Sequence, residues 1–196
     1  MQATKTSFKK QLKQGVKRLL QRTIGWPRLD ELERLKRNGL RVGHNFHLLD
    51  GCIIDDSHYW HITIGDDVTL APRVHILAHD ASTKLHLNYT KIKNVTIGNR
   101  VFIGAGSIIM PGVTIGDDVI IGAGSLVARD VPSNTVYAGT PARFVCDLGE
   151  YLAKEQARMT HDNVFGEEYT LRGQVDGTRQ AQMHAAVARH GVGYVI

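Results

Sequence analysis

The sequence predicts an all-β core, a parallel β-helix built from hexapeptide repeats, and three observations predict it. Every sixth residue from 97 to 127 is aliphatic: Ile97, Ile103, Ile109, Ile115, Ile121 and Val127. A glycine follows four of these six, at Gly98, Gly104, Gly116 and Gly122. The same phase runs upstream through Ile64, Leu70 and Ile76 with Gly65, and through Val42, Leu48 and Ile54 with Gly43. A period of six matches neither the helical 3.6 nor strand alternation. It matches a coil in which each hexad is one short strand and a corner.

Three hexads close one triangular coil of about 18 residues, with each aliphatic residue pointing inward. Stacked coils then supply one another's backbone hydrogen bonds. The position four residues further on faces the narrow interior near a corner, and should be small or β-branched. It reads Val101, Ser107, Val113, Val119, Ser125 and Val131. The glycines are expected where the chain turns tightly and a Cβ would hinder it. The register breaks twice. The spacing from Ile54 to Ile64 is ten, so four residues bulge out near residues 57–60. From Ile76 to Ile97 it is twenty-one, so fifteen extra residues leave the coil. That excursion holds His79, Asp80, His86, Asn88 and Tyr89. Irregular excursions from a rigid scaffold are where chemistry is expected.

The 196 residues divide into a basic helical arm over residues 1–41, the repeat domain over 42–146 with its loop at 77–94, and a helical tail over 147–196. The arm carries twelve Lys/Arg against three acids, while the rest carries twelve against sixteen. Phe8, Leu12, Val16, Leu19 and Leu20 recur at helical spacing among its lysines, and Pro27 should end that helix. A second helix is expected over residues 29–37, stopped by Asn38-Gly39. In the tail, helices are expected over residues 148–159 and 178–190.

A basic amphipathic arm can lie on an anionic membrane surface or pack against a neighbouring subunit. Nucleic acid is not an expected partner, because the acidic coil opposes it and no aromatic pattern accompanies the lysines. No apolar run approaches the roughly 20 residues of a membrane span, and the N-terminus has no apolar signal region. Cys52 and Cys146 give neither a disulfide framework nor metal spacing, and Cys52 reads as a small buried hydrophobe. The expected location is the cytoplasm, with peripheral contact at the inner face of the membrane through residues 1–26 as a candidate.

Residues 95–143, VTIGNRVFIGAGSIIMPGVTIGDDVIIGAGSLVARDVPSNTVYAGTPAR, resemble the hexapeptide-repeat acetyltransferases, closest to the galactoside and maltose O-acetyltransferase branch. The ending Tyr137-Ala138-Gly139-Thr140-Pro141-Ala142-Arg143 resembles that family's closing turn, and residues 64–80 resemble its coils before the catalytic histidine. The resemblance covers residues 42–143 and implies left-handed coiling, a homotrimer, and transfer of acetyl from acetyl-CoA to a hydroxyl-bearing small molecule or glycan, a sugar or glycan precursor first. Antibiotic or amino-acid acceptors are alternatives on the same scaffold. From another class, a carbonic-anhydrase-like zinc site of three histidines is a weaker alternative, since the spacing of His75, His79 and His86 does not resemble it and no metal is expected.

Acetyl transfer needs a base for the acceptor proton, because an alcohol is a poor nucleophile near neutral pH. It also needs donors for the oxyanion. Histidine suits the base, with an unperturbed pKa of ~6.5. The resemblance puts that base at His79, with His86 as its rival in the same loop and Asp80 or a backbone carbonyl to orient it. His75 should face outward. For His44, His47, His58 and His61 a surface role and an acceptor-cleft role are both open. The CoA-binding positions implied by the resemblance are Ala105, Ala123, Ala128, Arg129 and Arg143. Ala105 replaces a common serine, but its backbone N–H still serves as an oxyanion donor. The arginines would meet phosphates, where charge-assisted bonds are strong. A second family arginine is Cys146 here, and Phe102 stands where tryptophan is common. Asp50 falls near the position that holds acceptor hydroxyls, while Asp55 and Asp56 read as corner residues.

Overall fold

A computed structural model describes residues 29–196. The amphipathic segment around residues 8–20 and its end at Pro27 lie outside the described residues. The chain forms two units that divide between Leu148 and Gly149.

The first unit opens with helix α1, Leu29–Arg37. It stops at Asn38-Gly39, where Gly39 takes φ +115 and the Asn38 amide donates back to Arg34 and Leu35. Leu35 and Leu40 are buried in the same core as the coils that follow.

The coils present three parallel faces. One holds Arg41–Val42, Ile62–Ile64, Val95–Ile97 and Thr114–Ile115. The second holds His47–Leu48, Thr69–Leu70, Phe102–Ile103 and Ile120–Ile121, and ends on Thr135–Gly139 with Ala142–Asp147 antiparallel beyond it. The third holds Ile53–Ile54, His75–Ile76, Ile108–Ile109 and Leu126–Val127. Strands of two residues have no independent stability, so stacking supplies it. The Gly65 amide donates to Ile97 at 2.9 Å and the Gly98 amide to Ile115 at 2.8 Å.

The register follows the repeat. Ile97 lies against Ile115, Ile103 against Ile121, and Ile109 against Val127. The four-residue bulge and the fifteen-residue excursion are absorbed without a phase change, since Ile54 still pairs with Ile76 and Ile76 with Ile109. The ladder residues Leu70, Ile76, Ile103, Ile109 and Ile121 are wholly buried. Buried Ser107 and Ser125 are satisfied, since both hydroxyls donate to the Gly122 carbonyl, at 3.0 and 2.6 Å.

Two expectations are corrected. Val131 does face the core, 3% exposed, but in a ladder place rather than near a corner: it bridges to Ile115, and Tyr137 pairs with Ile121, so the last coil is shorter than its predecessors. The glycines that follow the inward residues are required by layer spacing rather than by turning. A Cβ on Gly98 would stand 2.7 Å from the Gly116 carbonyl carbon, and one on Gly65 would stand 2.6 Å from the Gly98 oxygen. The corners turn elsewhere, through Asn45, Asp67, Arg100 and Asp118 at positive φ.

Beside that column the coil edges are joined by side chains. Asp66, Asn99, Asp117 and Ser133 each accept an amide from the preceding layer, at 2.6 to 2.9 Å. The excursion after Ile76 carries one short helix, α2, Lys84–Leu87, ended by Asn88 in the left-handed region.

The second unit is not wholly helical. Helix α3, Leu148–Arg158, leads into it, and helix α4, Gly177–His190, is capped by Asp176, which accepts from the Arg179 amide at 2.8 Å. Between and after them Val164–Phe165 and Tyr194–Val195 form a parallel pair. Buried Asn163 holds the turn, accepting from the Thr160 amide at 2.7 Å and donating to the Arg158 carbonyl at 2.9 Å. Among the described residues, no helix is long and apolar enough to cross a membrane.

The glycine column gives a direct test. Gly98→Ala forces two coils apart and should lower stability by ~1–3 kcal/mol, as overpacking does. Gly149→Ala, in open space on α3, should be neutral or stabilising by up to ~1 kcal/mol. Thermal unfolding of the two variants checks the contrast.

Candidate active site

Both register breaks open at one corner, after the third face. Asp55 follows Ile54 there, and Leu77, Ala78 and His79 follow Ile76, its partner in the next coil. His79–Asp80 then pairs antiparallel with Lys91–Ile92, and the Lys93 amide donates to the Ala78 carbonyl at 2.9 Å. The excursion is therefore a loop closed at its base, with His79 at the point of departure.

Asp55 is 2% exposed and organises this corner. Its Oδ2 accepts from the Ala78 amide at 2.8 Å, the His79 amide at 3.0 Å and His79 Nδ1 at 2.5 Å. Its Oδ1 accepts from the His58 amide at 2.9 Å and the Ser57 amide at 3.1 Å. Burial pushes the carboxyl upward. The Ala78 amide, the His79 side chain and the Ser57 and His58 amides outweigh it, so the group sits below its ordinary value. With the Nδ1 proton engaged by Asp55, the free lone pair of a neutral His79 is on Nε2. A part-exposed imidazole fixed in one tautomer by a buried carboxylate can accept a proton in a defined direction.

Asp80 does not orient His79, and neither does a backbone carbonyl. Its carboxylate binds Lys91 Nζ at 2.6 Å and the Ser82 amide at 2.8 Å, which closes the loop and holds Asp80 far below the usual carboxylate range. The residue that sequence reasoning set aside as a corner residue, Asp55, takes the role. The pairing of Ile54 with Ile76 places Asp55 beside Leu77, but no feature of the sequence tells which of Asp55 and Asp56 turns inward. His86, the rival base, is exposed on α2 with no side-chain hydrogen bond among the described residues. His75 faces outward, as expected.

His75, His79 and His86 do not form a cluster. Asp55, His58 and His79 do, with potential ligand atoms within 4.8 Å of one another. Five N–H groups already occupy the Asp55 oxygens, among them the His58 backbone amide but not its ring.

Ala128 and Arg129 lie on the same corner, further along the axis. With Arg143, Tyr137, Ala142 and Phe144 they line a cavity of about 320 Å³. Ala105 and Ala123 stack on the next corner, where the Gly124 amide donates to the Ala105 carbonyl at 2.8 Å. The Ala105 amide has no hydrogen-bond acceptor among the described residues. Asp50 is exposed on that second corner, so it is not brought to His79. Phe102 stands outward between Thr69 and Ile120, 46% exposed.

Residues 94–129 match the family described as bacterial transferase hexapeptide, six repeats. The chain is similar to protein CapG of Staphylococcus aureus, 39% identical over 130 residues that cover 62% of this chain and 74% of CapG. Among solved structures it is similar to a maltose O-acetyltransferase from Clostridium difficile 630, at 35% identity and a TM-score of 0.51, covering 66% of this chain and 83% of that one. A galactoside acetyltransferase in complex with coenzyme A is 30% identical with a TM-score of 0.51, covering 68% of this chain and 80% of that one. The chain belongs to the hexapeptide-repeat transferases, and its β-helix is left-handed as in that family. Both solved relatives are named as acetyltransferases.

Asp55 also makes the corner acid-sensitive. Because its pKa is lowered in the fold, its stabilisation is complete above the ordinary carboxylate value of about 3.9 and is lost as pH falls through the folded value. Asp55→Asn should be less stable at pH 7 by ~1–3 kcal/mol, the cost of an incomplete buried network. Its melting temperature should also fall less steeply than the parent's between pH 4 and the lowest pH at which both remain folded. Thermal melts across that range read both effects.

Proposed function

We propose that this acetyl-CoA-dependent enzyme acetylates a hydroxyl of a sugar or glycan precursor, with His79 as the general base. The observation that carries the reading is the His79–Asp55 pair at the mouth of the excursion. Nε2 takes the acceptor proton as the acceptor oxygen attacks the acetyl carbonyl. The Ala105 amide, without another acceptor, suits the oxyanion. As the tetrahedral carbon collapses, the carbon–sulfur bond breaks, and the imidazolium returns its proton to the leaving thiolate. Transfer is direct within a ternary complex; the Ser57 hydroxyl at this corner is engaged by Asp56 Oδ1 at 3.0 Å. Arg129 and Arg143 beside the 320 Å³ cavity suit the phosphates of CoA. The relatives that act on maltose and galactosides support a sugar acceptor.

The working form we propose is a cytoplasmic homotrimer serving polysaccharide biosynthesis. His79 and the Ala105–Ala123 column occupy different corners of one prism, so a site that uses both requires a neighbour. The excursion also leaves Leu85 and Tyr89 87% and 78% exposed, as a loop that closes over another coil would. Light scattering should give three times the monomer mass; a stable monomer with full activity would overturn the trimer.

His79→Ala should lower kcat by ~10²–10⁴, the usual contribution of a positioned base, while acetyl-CoA still binds. His86→Ala should change little. Release of CoA, measured over a panel of mono-, oligo- and nucleotide-sugars, tests the acceptor class and the base together. Near-normal turnover in His79→Ala with loss in His86→Ala would reverse the assignment.

The basic arm supports a further contact, with an anionic membrane surface. Its twelve Lys/Arg and its apolar stripe suit that surface. Removal of residues 1–26 should abolish sedimentation with anionic vesicles and leave turnover of a soluble acceptor intact. A full chain that ignores such vesicles at low salt returns the arm to packing between subunits.

A further inference from the structure

The four-residue bulge that brings the Ser57 and His58 amides to Asp55 goes on to build an aromatic row. Tyr59–His61 forms a single 3₁₀ turn. The His58 ring lies 5.0 Å from the His79 ring on one side and 5.5 Å from Trp60 on the other. Trp60 is 45% exposed, although Tyr59 packs edge-on against it at 5.2 Å and itself rests on the core.

Three contacts hold this row still. Gly39 passes so close that a Cβ there would lie 3.1 Å from Trp60 Cβ. His61 Nδ1 is hydrogen-bonded to Asn94 Oδ1 at 2.7 Å, tying the bulge to the exit of the excursion. The His58 amide is held by Asp55. A large aromatic ring kept rigid, open to solvent and one ring away from the base is poorly explained as packing.

His58 adds a second unexplained feature. Its Nδ1 is buried with no hydrogen-bond partner among the described residues. A buried donor without an acceptor is costly, so the proton of the neutral ring belongs on Nε2. Nε2–H is then a donor that no group among the described residues uses.

We propose that Trp60 and His58 form the acceptor subsite for a pyranose ring. The indole covers the apolar C–H face of the sugar, and His58 Nε2–H donates to a hydroxyl next to the one that His79 deprotonates. This rests on the sugar-acceptor reading above and adds the residues that orient the ring.

The test uses the full chain and a sugar that the parent enzyme acetylates. Trp60→Ala should raise the KM for that sugar by about tenfold, the scale of one lost aromatic contact, with the KM for acetyl-CoA unchanged. Trp60→Phe should recover most of the loss. His58→Ala should weaken the same sugar but leave unchanged an analogue that lacks the neighbouring hydroxyl. The chain has two tryptophans, so in a Trp26→Phe background the emission reports Trp60 alone. Adding the sugar should change that emission with a midpoint near the kinetic KM. A parental KM in Trp60→Ala, or emission indifferent to saturating sugar, would overturn the subsite and leave the sugar reading intact. If Trp60→Ala fails to assemble, the Phe variant and the emission titration decide. A parent enzyme that acetylates no sugar and accepts only amines would overturn the sugar reading itself.

Discussion

The buried carboxylate of Asp55 is the constraint on which the candidate site depends. The two interruptions of the repeat open at the same corner of adjacent coils, and each would leave backbone amides unsatisfied where the ladder stops. One carboxylate collects amides from both, Ser57 and His58 from the bulge and Ala78 and His79 from the excursion. Having closed the corner, it takes Nδ1 of His79. Scaffold repair and imidazole positioning are thus one interaction, so the site cannot loosen without opening the fold beside it.

That arrangement explains how a site precise enough for proton transfer can stand on two-residue strands. Positioning within tenths of an ångström needs rigid support. Each coil is locked to the next by the inward ladder, by glycines that allow close layers, and by the Asp66, Asn99, Asp117 and Ser133 edge. The rigidity belongs to the stack and reaches His79 through Asp55. The tip of the excursion has no such support, and Leu85, Leu87 and Tyr89 stand largely in solvent.

The coil was legible because its signal is periodic and repeated. The spacing of the inward residues carried the faces, the register and the lengths of both insertions, and Asn38-Gly39 marked the end of α1. The place of His79, where the loop leaves the coil, was legible from the spacing; its role as base rests on resemblance. Asp55 was not, because nothing local separates it from Asp56; only stacking tells which carboxylate turns inward. Asp80 was the obvious neighbour in sequence, yet its antiparallel pairing with Lys91 engages its carboxylate across the base of the loop. The glycine column was found by its period but explained by the wrong physics, since close approach between layers leaves no trace in a single coil. Val131 reads correctly as an interior residue, but its phase does not, because the shortened last coil shifts where no further repeat reveals it.

The bulge and the excursion also differ in what they can do. The excursion is long, apolar at its tip and tied only at its base, which suits contact with another chain. The bulge is short and fixed at three points, which suits recognition of something small. The imidazole stands between them, with the Asp55 carboxylate buried beneath it. A β-helix gives this freedom because its coils tolerate insertion at a corner without losing register, as Ile54, Ile76 and Ile109 in one unbroken column demonstrate. New specificity can therefore be written into corners while the His79–Asp55 pair remains where the stack holds it.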